Sequence, residues 1–580
     1  MRKKFYITLK LLIALAMVGP SAIDAQDNEL SAEVIEQINQ LFDRFEEKNS
    51  PGLSFGLMMN GELVLTRNIG MADIGTNKAI TSQTSFHIGE LSRHFTAYAA
   101  MLLEHRGSLD LDASVLTYLP DLRIDPAIKV IDLLRHSSGL HDFHIVKTLA
   151  GWYHEASYDQ EDALNIIQLQ DALSFEPGTD FGYSESNLII LAELIGQVSN
   201  QPFTAFMHDQ VFRPLGMMST EYKGDSISLS NVANGYVAQH ESYIIDEPHN
   251  DTYGVSNLYS STQDILTWEW HMMQLDAQDD AVVQRMKEVV SLDSGRTFSI
   301  PQGHLTMGQQ FTHKERGLKS DYLSSNYGPY TAAMFNFPDF NLIGVVLSNN
   351  SMAYNGYLIM HSAYLILDDE FTEPAVAEVI TDHAPNYSVA QLQQYSGSYY
   401  DPEFSIIRTI KVSNDTLQYI RSNGQETPLI PIGEAQFQLS PRGDDVVKIH
   451  FVEEGATLRL DYMFGEAEAI PLYRYEPLSL DLKSLQDYAG TYHSKALGIS
   501  YEVTIDDDGL SIDQLLSGSS NLRPVIADLF FTNHWFMGGL LFERDDQGRV
   551  VGFSVRQFGA WGIKFVKLDT MMDDVLRVDH

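Results

Sequence analysis

The sequence predicts a mixed α and β domain followed by two all-β barrels. Three observations carry this expectation. From about residue 30 to 375, stretches with apolar residues at helical spacing alternate with short β-rich runs. Beyond about residue 385 the pattern changes to short alternating runs punctuated by Gly, Asn and Asp. Within that tail, Leu392, Tyr395, Gly397 and Tyr399 recur as Leu485, Tyr488, Gly490 and Tyr492, a period of 93 residues that marks two similar units.

Taken in order, the chain begins with Arg2, Lys3 and Lys4, the apolar run Leu11 to Val18, then Gly19, Pro20 and Ala25. This is the pattern of a secretory signal peptide over residues 1–25, and its eight-residue apolar run is too short for a span, which needs about 20. Periplasmic or secreted localisation follows as an expectation, with no stable membrane anchor. The first folded domain is placed at 26–375. In it Phe95, Tyr98, Ala99, Leu102 and Leu103 share one helical face over Phe95 to His105, and Leu188, Leu191, Ala192 and Ile195 do so over Asn187 to Ser199. Val345, Val346 and Leu347 read as a buried strand ended by Ser348, Asn349 and Asn350. The barrels are placed at 385–476 and 480–570, with junctions near Pro374, Pro385 and Pro477. Ile406 to Val412 and Tyr501 to Ile505 are strands, and Asn423-Gly424 and Asp508-Gly509 are hairpin turns.

The chain has 580 residues, a net charge of −40 and no cysteine. That charge repels nucleic-acid backbones and anionic membrane surfaces, so neither is an expected partner. The missing cysteines exclude disulfides, thiolate chemistry and a lipidated cysteine.

Five segments, taken together and in order, resemble the serine β-lactamase-related family, which includes class C β-lactamases, penicillin-binding proteins and D-aminopeptidases. They are Phe86-His-Ile-Gly89, Leu133-Leu-Arg-His-Ser-Ser-Gly-Leu140, Phe181-Gly-Tyr-Ser184, Arg213-Pro-Leu-Gly-Met217 and Phe337-Pro-Asp339 leading to Asn350. The resemblance covers roughly residues 30 to 365. It implies an α/β (α+β) β-lactamase/transpeptidase-like domain, with an antiparallel sheet flanked by helices, and a tail similar to the lipocalin-like barrels of three-domain D-aminopeptidase-like members.

The family's chemistry rests on a Ser followed one turn later by Lys, on a Tyr-x-Asn, and on a Lys-Thr-Gly or His-x-Gly strand. Here Glu90 stands at the serine position and Arg93 at the lysine position, and no Ser is followed three residues later by Lys. Tyr183-Ser184-Glu185 matches the second motif with the amide replaced by a carboxylate, and Leu323-Ser324-Ser325 matches the third without its cation. By this matching, Glu90, Glu185 and Tyr183 are the candidate catalytic residues, and Arg93, Ser324 and Ser325 the candidate substrate-binding ones.

Arginine stays protonated and cannot serve as a general base, and a glutamate attacking a carbonyl gives a labile anhydride, so serine-type acyl transfer is not expected. Two readings remain. In one, paired carboxylates do the work as in glycosidases, on a glycan or cell-wall glycopeptide: Glu90, held ionised by the helix N-terminus and Arg93, is base or nucleophile, and Glu185 beside Tyr183 is the acid. In the other, the cleft is a non-catalytic binding site for a small molecule, glycan or peptide, and Glu90 merely pairs with Arg93 in a first helical turn. No metal and no cofactor is expected, and the oligomeric state is left open. His136 reads as a packed structural histidine, His141 and His144 as solvated loop histidines, and Trp535 and Trp561 as ligand-stacking or barrel-core aromatics.

Overall fold

The computed structural model describes residues 30–568, apart from residues 46–48, 153–156, 224–229, 241, 249, 301–302, 352–354, 373–384, 402–405, 422–423, 440–446, 456, 465–468, 479, 507–508 and 515–517. The signal-peptide reading, the Pro374 junction, Asn423 and Asp508 lie outside the described residues.

The first domain is built on eight antiparallel strands. They are β1 (Leu53–Met59), β2 (Glu62–Ile69), β3 (Ser299–Ile300), β4 (Gly303–Leu305), β5 (Phe311–Glu315), β6 (Leu318–Tyr327), β7 (Tyr330–Phe337) and β8 (Leu342–Ser348). Their spatial order is β3-β4-β5-β6-β7-β8-β1-β2, so the N-terminal hairpin closes the sheet beside its last strand, with Leu53 opposite Ser348. β7 and β8 are buried along their whole length because helices cover both faces. Val346 and Phe335 pack with Phe42 of α1 (Ala32–Phe42) and with Leu358 and Ile359 of the helix Asn355–Ile366. Val345 and Leu347 point into the larger core, with Phe95 of α2 (Ser92–His105) and Trp268 of the helix Thr262–Asp276. The expected strand at Val345 to Leu347 is the centre of β8, and its period-2 side chains feed two different cores.

Both expected helices are present but begin earlier, as Ser92–His105 and Glu185–Ser199. Burial on α2 does not follow one stripe: Arg93, His94, Thr96, Ala97, Ala100 and Met101 are buried along with Phe95 and Ala99. The helix is enclosed by the sheet and by neighbouring helices, which is how polar residues come to lie inside.

Two closed barrels of eight antiparallel strands follow, running from Gly397–Asp401 to Ile470–Tyr475 and from Gly490–Ser494 to Ala560–Lys567. First and last strands pair in each, Tyr399 with Arg474 and Tyr492 with Lys567. The sequence repeat has one structural meaning in both. A tyrosine on the first strand donates its hydroxyl to the carbonyl of the tyrosine four residues earlier, Tyr399 to Tyr395 at 2.8 Å and Tyr492 to Tyr488 at 2.6 Å. The glycine between them meets the closing strand, where a Cβ would lie 2.8 Å from Nε of Arg474 or 2.6 Å from Cε of Lys567. Among the described residues no helix is long and apolar enough to cross a membrane.

Candidate active site

α2 is entered through a tight turn, Gly89–Leu91, that lies against β6. Gly89 has φ +52°, and a Cβ there would stand 2.0 Å from the Ser325 hydroxyl oxygen, so glycine is what lets the strand approach. Next to it, the Glu90 backbone N–H donates to Ser325 Oγ at 3.1 Å, and the Ser325 hydroxyl donates in a short contact to Glu90 Oε2. Burial raises the Glu90 carboxyl above its ordinary range. The Ser325 hydrogen bond opposes this, the Glu185 charge adds to it, and Arg93 opposes weakly. The expectation is that the helix N-terminus and Arg93 set the charge of Glu90; burial is instead the largest influence on its carboxyl, and it acts upward.

Arg93 makes no ion pair with Glu90 among the described residues. Its Nε donates to the Gln309 carbonyl at 3.2 Å, and the guanidinium stands 5.7 Å from the Tyr183 ring and 5.8 Å from that of Phe311. The Tyr183 hydroxyl is buried beside Arg93 without a hydrogen-bond partner of good geometry, and burial pushes its ionisation far above the normal phenol range.

Glu185 is the first residue of the helix Glu185–Ser199, where its charge suits the N-terminus. Its carboxylate contacts His144 Nε2 at 2.7 Å, and its backbone N–H donates to Asp142 Oδ2 at 2.8 Å. His144 is not a solvated loop residue. It lies in α3 (Phe143–Leu149), whose N-cap is Asp142, with Oδ1 accepting from the N–H groups of His144 and Ile145. Burial works against the His144 imidazolium, yet the charge and hydrogen bond of Glu185, together with Asp142, carry its pKa above 6.5. Asp142 is pushed up to about 6 by burial and by Glu185. Lys147, one turn further along α3, places its ammonium 4.1 Å from the Tyr158 ring centroid and is held down to about 8 by burial.

The remaining candidates separate. Ser324 is exposed on the opposite face of β6 from Ser325, as strand alternation requires, and takes no part in the site. His136 is structural as expected. It sits at φ +53° after the helix Val130–Arg135, its Nε2 contacts Gln309 Oε1 at 2.9 Å, and Asn187 Nδ2 lies 3.2 Å from its Nδ1. His141 is buried rather than solvated, with Nε2 against the Trp561 carbonyl at 2.9 Å. Trp561 thus belongs to a barrel hairpin that docks on this domain, not to a barrel interior. The same hairpin borders a cavity of about 240 Å³, lined by Phe175, Phe181, Phe558 and Trp561 among others. Trp535 is 58% exposed. Among the described residues, no cluster of three His, Asp or Glu side chains could hold a metal ion.

Matching of the sequence to family models finds Beta-lactamase over residues 38–355, more than half of the chain. The chain belongs to the Beta-lactamase family. Along nearly its whole length it is similar to proteins named D-aminopeptidase. One, from Brucella melitensis biotype 1, is 23% identical over 89% of this chain and 96% of the relative; another, from Brucella anthropi, is 27% identical over 88% and 94%. Among solved structures, the octameric penicillin-binding protein homologue from Pyrococcus abyssi matches with a TM-score of 0.51 at 19% identity, covering 76% of this chain and 99% of that one. A protein named SurE matches at TM-score 0.50 and 18% identity, covering 76% and 98%. These likenesses support the Beta-lactamase fold of the first domain and leave its chemistry to the residues of the cleft.

Proposed function

We propose that this Beta-lactamase-family protein has lost the serine nucleophile and works as a carboxylate-dependent hydrolase on a glycan or cell-wall glycopeptide, exported to the periplasm or beyond. The observation that carries the reading is the Glu185–His144 contact of 2.7 Å together with a buried Glu90 whose carboxyl lies above its ordinary range. Acid–base hydrolysis uses two carboxyl groups in different surroundings, and here one is bonded to Ser325 and the other to His144. Glu185, backed by the imidazole of His144, takes a proton from water as the water oxygen bonds to the electrophilic carbon. Glu90 gives its proton to the leaving atom as the old bond breaks. Arg93 and the Tyr183 hydroxyl supply a cation and a donor for charge that develops on substrate oxygen. The names of the D-aminopeptidase relatives favour a substrate with a peptide portion that bears D-residues. The basic, apolar and small-residue order of residues 1–25 supports export.

A second reading, a non-catalytic ligand-binding member of the family, is favoured by Ser325, which satisfies both the Glu90 N–H and its carboxyl. Cell-wall glycopeptides and oligosaccharides incubated with the wild type, E90Q and E185Q separate the two. The hydrolase reading expects product release that falls about 100-fold or more in each variant. Thermal stabilisation by a ligand without product release supports the binding reading. Labelling by a β-lactam or fluorophosphonate probe overturns the loss of the serine nucleophile.

A further inference from the structure

We propose that Lys147 forms an anion subsite of the cleft, which takes a carboxylate of the ligand beside Glu185 and Tyr158. This deepens the reading above and rests on the cleft being a ligand site, though not on turnover.

Lys147 is 6% exposed, yet among the described residues its ammonium has no carboxylate within 4 Å and no hydrogen-bond acceptor. Its contacts are ring faces, Tyr158 at 4.1 Å and Phe143 at 5.9 Å. Three N–H donors therefore stand open in a buried place, a state that proteins avoid unless an acceptor arrives. The neighbouring anions are already committed, Glu185 to His144 and Asp142 to the N-terminus of α3. The depressed pKa of about 8 agrees with an ammonium that lacks a close counter-ion.

Its position connects it to the site. Tyr158 is fixed by a short parallel bridge, Tyr158 to Asn250 and Asp159 to Asp251. The Tyr158 phenol interacts with that of Tyr327, which lies two residues beyond Ser325 on the same side of β6 and whose Cβ bears on Gly89. Tyr327 and Tyr158 thus link the Glu90 turn to Lys147 through successive side-chain contacts. A singly charged, planar carboxylate suits this place. A doubly charged phosphate would meet one ammonium while facing the negative charge of Glu185.

Titration calorimetry of the full chain with N-acetyl-D-alanine and with N-acetyl-D-alaninamide tests the assignment. The wild type is expected to bind the acid roughly tenfold tighter than the amide, the difference that one charge-assisted hydrogen bond supplies. The preference should fade as pH rises past 8, where the ammonium loses its proton. Lys147→Met should bind both probes alike while keeping the wild-type melting temperature, and Lys147→Arg should recover part of the preference. Equal affinity of the wild type for the two probes, no binding of either, or a preference retained in Lys147→Met overturns the proposal. Turnover by E90Q and E185Q reports separately on the hydrolase reading, so the two failures are distinguishable.

Discussion

Glu269 shows at the level of a single residue how this core stores unfavourable charge. It is 2% exposed, accepts from Gln310 Nε2 at 3.4 Å and Asn336 Nδ2 at 3.2 Å, and faces His94 Nε2 at 3.8 Å. Burial first, with Asp321 adding, raises its carboxyl from 4.5 to about 7. A carboxyl raised on folding destabilises the native state as pH climbs from the unfolded to the folded value, and the penalty is complete above about 7. Glu269→Gln removes that penalty, and its amide can donate to Asn336 Oδ1, a buried acceptor without a partner. The variant should be more stable than wild type by about 3 kcal/mol at pH 8 and nearly equal at pH 4.5, read from urea midpoints at the two values. Residues of this kind also show what sequence could tell. Glu90, Arg93, Tyr183, Glu185 and Ser325 were legible because motif positions mark them, and the structure brings them together. Ser324 was misread because a loosely anchored motif does not say which strand residue faces inward. Asp142, His144 and Lys147 carried no signal, since their roles arise only when α3 packs on the helix that begins at Glu185. The upward shift of the Glu90 carboxyl was not legible for a related reason: it comes first from desolvation by tertiary packing, which no local sequence feature displays.

The turn Gly89–Leu91 is the element on which the cleft depends, and its geometry was not legible from propensity. The sequence suggested a helix N-terminus at Glu90, whereas the α-helix begins at Ser92, whose hydroxyl donates to the Gly89 carbonyl at 2.6 Å. Gly89→Ala should destabilise the protein by about 3 kcal/mol, combining the cost of a left-handed alanine with the overlap on Ser325 Oγ and Tyr327 Cβ. Adding Ser325→Gly removes the first overlap but neither the backbone strain nor the contact with Tyr327. The double variant should recover only part of the loss, giving a coupling energy of about 1 kcal/mol in a denaturation cycle. Full additivity would mean that the turn does not bear on β6. The barrel repeat, by contrast, was legible because both copies use the same local device, a tyrosine bonded four residues back and a glycine under the closing strand.

For the molecule as a whole, the two barrels are unequal despite their common plan. The core of the second runs into that of the first domain, whereas the first barrel encloses a core of its own around Tyr395, Phe437 and Phe451. The second barrel is also tied by polar contacts: Asp142 N–H to the Gly559 carbonyl at 2.6 Å, Trp561 N–H to Ser174 Oγ at 3.0 Å, and Tyr501 hydroxyl to the Leu149 carbonyl at 2.8 Å. Gly559, at φ +83°, comes so close that a Cβ would lie 3.0 Å from the Tyr183 carbonyl oxygen. None of this was legible in sequence, because an interface between distant segments leaves no periodicity. It makes the second barrel part of the site's support, since the Asp142 that it bonds also accepts from the Glu185 N–H. A chain ending after residue 476 uncovers buried apolar surface and leaves the Asp142 N–H and Leu149 carbonyl without their partners. It should melt at least about 10 °C below the full chain, bind a hydrophobic dye and lose the cleft. Replacing residues 385–476 by a flexible linker uncovers only the smaller patch where Tyr400, Ile407 and Tyr475 meet Val525, Leu529 and Phe531. That deletion should leave the melting temperature of the first domain within a few degrees of wild type, and calorimetric scans of the two deletions compare them directly. Equal losses in both would show that the barrels act as one unit and that the continuity between the second barrel and the cleft does not control stability.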